Sequence, residues 1–81
     1  MRLSFTTLIL GRTYVKQKKQ QQAIEVFTEF LKRNPKEPYV RLELGTLYAE
    51  LGQRQEAIQQ YEQLLKVNPD MAKKLYDLLR P

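Results

Sequence analysis

The sequence predicts an all-α fold of about five helices, paired antiparallel and stacked pair upon pair. Three observations carry this prediction. The chain matches itself when shifted by 34 residues, each 34-residue unit contains two stretches of helical apolar periodicity, and glycine or proline punctuates the junctions. At 81 residues there is room for one small domain, 1–81, with a single thin core. A composition of 42% hydrophobic and 28% charged residues with three Gly and four Pro is too apolar and too poor in breakers for a disordered segment.

The 34-residue shift places Leu8 on Leu42, Leu10 on Leu44, Gly11 on Gly45, Tyr14 on Tyr48, Ala23 on Ala57, Ile24 on Ile58, Leu31 on Leu65, Asn34 on Asn68 and Pro35 on Pro69. Phe27 over Tyr61 and Phe30 over Leu64 are like-for-like apolar matches. The first unit, about 4–37, reads as a helix from about Ser4 to Gln17, a turn through Lys18 and Lys19, and a helix from about Gln21 to Arg33. The second, about 38–71, opens with Pro38, which suits a first helical turn because its missing N–H would have no intrahelical partner. Val40, Leu44, Leu47, Tyr48 and Leu51 then form one stripe. Gly52 offers the left-handed conformation that ends many helices, and Lys18 occupies the same place in the first unit, making that turn either costlier or differently shaped. Ala57, Ile58, Tyr61, Leu64 and Leu65 mark the next helix, from Arg54 to about Asn68. A fifth helix, about 70–80, is expected with Asp70 as N-cap and an apolar face of Met71, Leu75, Leu78 and Leu79. It is either the first helix of a third unit or a cap over the last open face, and closure is favoured because Lys73, Lys74, Asp77 and Arg80 supply a polar outer surface.

These residues resemble the tetratricopeptide repeat, with Leu10-Gly11, Tyr14, Ala23, Phe27 and Pro35 matching its pattern once and Leu44-Gly45, Tyr48, Ala57, Tyr61 and Pro69 matching it again. The resemblance spans residues 4 to 71 as two full repeats and implies a right-handed superhelical stack. Two positions depart from the family pattern. Where the family often has Trp this chain has Thr7 and Arg41, which lightens packing within a pair, and its second small position is Phe30 and Leu64. Gly11 and Gly45, without a Cβ, are expected to admit the backbone of a partner helix.

The resemblance further implies that the first helices line a concave groove. The residues assigned to it are Phe5, Leu8, Arg12 and Val15, then Tyr39, Leu42, Thr46 and Ala49, then Lys73, Tyr76 and Arg80. Apolar walls with tyrosines and cations suit a peptide or helix carrying aromatic or aliphatic anchors and an acidic or terminal carboxylate group. Arg12, flanked by Leu8 and Val15, is expected in a partly desolvated setting where a carboxylate contact strengthens. One subclass of the family grips chaperone C-terminal carboxylates with a two-Lys, two-Asn, one-Arg clamp. Those five places are here Leu8, Arg12, Glu43, Lys73 and Asp77, of which only Lys73 keeps its type, so this mode of recognition is not expected.

The inventory narrows the chemistry. With no Cys and no His, thiolate and imidazole metal sites, cysteine nucleophiles and Ser-His-Asp arrangements are excluded. No Gly-rich phosphate loop appears, because Gly11 and Gly45 fall within helices, and no catalytic, metal or cofactor residue is assigned. The net charge of +5 is entirely N-terminal: residues 1–37 hold eight Lys or Arg against three acids, and residues 38–81 hold six against six. Arg12, Lys16, Lys18 and Lys19 form a basic turn, yet no aromatic residues interleave with it, which argues against a nucleic-acid binder. Met1 to Leu10 superficially resembles a secretory signal, but Ser4, Thr6, Thr7 and Arg12 break it and no Ala-x-Ala site precedes Lys16, so a cytoplasmic location is expected over export, with no membrane span. The functional expectation is a non-catalytic scaffold that binds a peptide or helix of a partner protein. The alternative is a self-assembly or spacer module that dimerises through exposed repeat ends, since arrays below three repeats are marginal alone; a basic nucleic-acid module ranks third.

Overall fold

The computed structural model describes residues 4–80, and side chains for residues 6–80. Five helices follow one another: α1 (Ser4–Lys16), α2 (Gln20–Arg33), α3 (Pro38–Glu50), α4 (Arg54–Val67) and α5 (Pro69–Leu79). There is no strand among the described residues, and the protein is all-α. The chain divides into two compact units, one ending at Pro35 and one beginning at Lys36. In the first, α1 packs on α2; in the second, α3 packs on α4 and α5 packs on both.

The two tight turns are built alike. Lys18 has φ +63° and Gly52 φ +77°. In the first turn the Lys19 N–H donates to Tyr14 O at 2.8 Å and the Lys18 N–H to Val15 O at 3.0 Å. In the second the Gln53 N–H donates to Tyr48 O at 2.8 Å and the Gly52 N–H to Ala49 O at 3.1 Å. This pair of bonds around a left-handed residue satisfies the orphan carbonyls of a helix end. The first turn therefore has the same shape as the second, and Lys18 bears the steric cost that Gly52 avoids.

The connections after α2 and α4 differ, although Asn34-Pro35 and Asn68-Pro69 are identical. After Asn34 the chain stays out of helix until Pro38, with Glu37 as N-cap accepting from the Tyr39 N–H at 3.3 Å. After Asn68 the helix starts at once: Pro69 is its first residue, and the Asn68 side chain accepts from the Met71 N–H at 3.2 Å. Pro38 disfavours helical backbone at Glu37 and postpones the start, whereas its counterpart Ala72 lets the helix run through. Asp70 is thus not the cap expected from sequence; it lies in the first turn, where its charge complements the helix dipole.

The first unit buries Ala23, Ile24, Phe27, Phe30 and Leu31 of α2. Gly11 is buried, and a Cβ there would lie 2.5 Å from the Phe27 ring. In the second unit a Cβ on Gly45 would meet Leu75 at 2.5 Å. Both glycines make room, but for a side chain of another helix rather than for its backbone. The core of the second unit joins Ala57 and Leu64 of α4 with Ala72, Leu75 and Leu79 of α5. The buried face of α5 runs through Ala72, Leu75 and Leu79, while Leu78, expected on it, is 56% exposed. α5 therefore closes over its own unit. Leu10 is 44% exposed although its counterpart Leu44 is buried. Within its unit α1 has one helical neighbour, whereas α3 has two.

Candidate functional site

The residues assigned to the first-helix surface fall into three groups. On α1, Leu8 and Val15 are half-buried and Arg12 is exposed, so the desolvated setting expected for Arg12 is not what surrounds it. Phe5 lies outside the described side chains. On α3, Tyr39, Leu42, Thr46 and Ala49 are half-buried; Leu42 and Ala49 pack against the core, and the Thr46 hydroxyl donates to Leu42 O at 2.8 Å within its own helix. On α5, Lys73, Tyr76 and Arg80 are exposed. Of the three groups, α5 presents the most accessible functional atoms.

Tyr76 and Arg80 line a pocket of about 270 Å³ between α4 and α5, together with Leu79 and with Arg54, Ile58 and Tyr61. The Tyr61 and Tyr76 rings stand 5.7 Å apart, tilted by 38°, a geometry typical of attractive aromatic pairs. Arg54 donates from Nη1 to Leu79 O at 2.6 Å, joining the start of α4 to the end of α5. The sequence pattern had placed Ile58 and Tyr61 on a core stripe, and both are only half-buried. What hid the pocket was the position of α5, which covers Ala57 and Leu64 fully and these two residues in part. In the first unit a smaller hollow of about 100 Å³ is lined by Thr7, Glu29, Phe30, Arg33 and Asn34. Thr7 is one of the positions where a larger residue was expected by family pattern, and its small side chain borders open space.

Arg41, the other such position, is half-buried on α3 and donates from Nη1 to Gln60 Oε1 at 2.8 Å on α4. Desolvation lowers its pKa from the usual guanidinium range, which still leaves it cationic near neutrality. Its role is to bind α3 to α4. The Glu29–Lys32 pair, 3.7 Å apart and exposed, adds little. Among the described residues no three acidic, His or Cys side chains gather as a metal site, and no helix is long and apolar enough to cross a membrane.

Compared with known protein families, residues 14–79 match the model described as Tetratricopeptide repeat, from Tyr14 in α1 to the end of α5. No curated protein matches the chain. The family match takes in most of the chain and includes the last three residues of α1, all of α2 to α5, both tight turns and the Ala23/Phe27 and Ala57/Tyr61 positions. This chain belongs to the tetratricopeptide repeat family, a typically non-catalytic helical module that generally mediates protein–protein interaction.

Proposed function

We propose that this chain is a non-catalytic scaffold that recruits a partner protein by holding a peptide or helix against the surface of its first helices. The observation that carries the reading is membership of an interaction family, matched from residue 14 to residue 79. The accessible groups support it: in the first unit Arg12 is an exposed cation on the helix that carries half-buried Leu8 and Val15, and in the second Lys73 and Arg80 are exposed cations while Tyr39 and Leu42 are half-buried. Apolar anchors with peripheral cations suit a partner segment bearing an acidic side chain or a terminal carboxylate. The test is Arg12→Glu, an exposed change that leaves the fold intact; it weakens partner capture while far-UV circular dichroism stays unchanged. An unaltered partner profile at full helicity would refute the reading.

The same surface is unsuited to the chaperone-tail clamp. Glu43 and Asp77 occupy clamp places and repel the carboxylates that such a clamp binds. Calorimetry with an acidic chaperone C-terminal peptide is expected to give a Kd of about 1 mM or weaker. Micromolar binding abolished by Lys73→Ala would contradict this.

Self-association through the exposed side of α5 is the second reading, favoured by Leu78 at 56% and Tyr76 at 47% exposure. The net charge of +5 opposes it at low salt. Sedimentation velocity over a wide concentration range separates the two, because only self-association makes the monomer fraction fall as concentration rises.

A further inference from the structure

The pocket between α4 and α5 lies on a stripe whose counterpart in the first repeat is covered. Ile24 is 5% exposed, Phe27 0% and Leu31 7%, whereas their equivalents Ile58 and Tyr61 are half-buried and Leu65 is 45% exposed. Ile58, Tyr61 and Leu65 follow i, i+3, i+7, an apolar line of roughly 10 Å along α4. Tyr76 and Leu79 of α5 form the opposite wall. Arg54 and Arg80 flank the space, and no carboxylate is among its lining residues. Aromatic residues and arginines around a small apolar hollow are the composition that anchors protein interfaces.

We propose that this pocket is a second docking site, on the α4 side of α5 and sharing Tyr76 and Arg80 with the residues assigned to the first helices, that receives an amphipathic helix of a partner protein: one aliphatic or aromatic anchor enters the hollow beside the Tyr61–Tyr76 ring pair, and an acidic side chain beside it meets Arg54 or Arg80. The helical form follows from the walls, since two helices form a trough that accepts the ridge of a third, and an all-α chain offers an extended peptide no sheet edge. Acidic character follows from the two arginines. A second copy of this chain fits poorly, because a two-fold contact places the same patch on both sides and brings Arg54 and Arg80 against their own equivalents.

The test uses the full chain, 15N-labelled, and two synthetic helical peptides with the same Leu/Phe stripe, one with Glu and one with Lys on the remaining face. The Glu peptide is expected to shift the amide resonances of Ile58, Tyr61 and Tyr76 and to bind at least about tenfold more tightly than the Lys peptide. General attraction to a cationic chain is removed by comparing Arg80→Glu with Lys36→Glu, which change the net charge equally. Arg80→Glu loses about tenfold in affinity for the Glu peptide and Lys36→Glu, at an exposed position outside both surfaces, keeps the wild-type value. Equal losses in the two variants, equal affinity for the two peptides, or no shifts at the pocket residues would each overturn the proposal. Concentration-dependent shifts at the same resonances without peptide would also overturn it, by making a second copy the occupant. Failure here leaves the first-helix reading standing, since that reading is judged by the effect of Arg12→Glu on captured partners.

Discussion

Lys18 holds a backbone conformation that costs an L-residue roughly 1 kcal/mol and costs glycine nothing, and its turn makes the same two hydrogen bonds as the turn at Gly52. Lys18→Gly is therefore expected to stabilise the chain by about 0.5–1 kcal/mol, offset in part by the greater freedom glycine gives the unfolded state. Chemical denaturation with an unchanged slope checks it, and a loss of stability would show that the lysine side chain makes a compensating contact. The sequence located both turns, because a 34-residue repeat aligns Lys18 with Gly52 whatever the turn looks like. It could not say whether the lysine bends the chain differently or adopts the glycine's conformation, since that depends on whether helix packing outweighs local strain. Similarly, Gly11 and Gly45 were legible as close-approach positions, but the groups that approach, the Phe27 ring and the Leu75 methyls, follow only from the tertiary arrangement.

Asn68 shows how one residue joins two elements. Its N–H donates to Leu64 O at 2.7 Å, closing α4, and its side chain accepts from the Met71 N–H, opening α5. Asn34, at the equivalent place, instead donates from Nδ2 to Phe30 O at 3.2 Å and caps no following helix. Replacing Asn68 by Ala is expected to cost about 1 kcal/mol, the usual value of an N-cap, while Asn34→Ala costs less. Equal effects at the two sites, measured by thermal or urea unfolding, would show that the α5 cap carries no special weight. The helices themselves were readable from apolar periodicity to within a residue or two at most ends. The start of α5 was misread because Asp70 and Asn68 are both good caps, and Pro69 decides between them by favouring the first helical position. The buried face of α5 shifted from Leu78 to Ala72 for a related reason. A sequence stripe more than one residue wide leaves its rotation open until a neighbouring helix fixes it.

At the scale of the chain, the repeat was legible over residues 4 to 71 and the family match spans 14–79, because packing positions recur at fixed spacing and each recurrence reinforces the last. Burial was less so. Leu10 and Leu44 occupy one repeat position, as do Leu31 and Leu65, yet in each pair one side chain is buried and one exposed, since exposure depends on how many helices surround each copy. The pocket between α4 and α5 escaped the sequence for the same reason, whereas Tyr76 and Arg80 had been singled out on α5. If recognition of a partner protein runs through the first helices, affinity capture from a lysate of source cells reads it out. Wild type should be compared with an Arg12→Glu, Lys73→Glu variant, since both residues are exposed and their replacement spares the core, unlike Leu42, which packs against it. Specific partners retained by wild type and lost by the variant at equal helicity are the expected result. Identical partner profiles for the two proteins would contradict it.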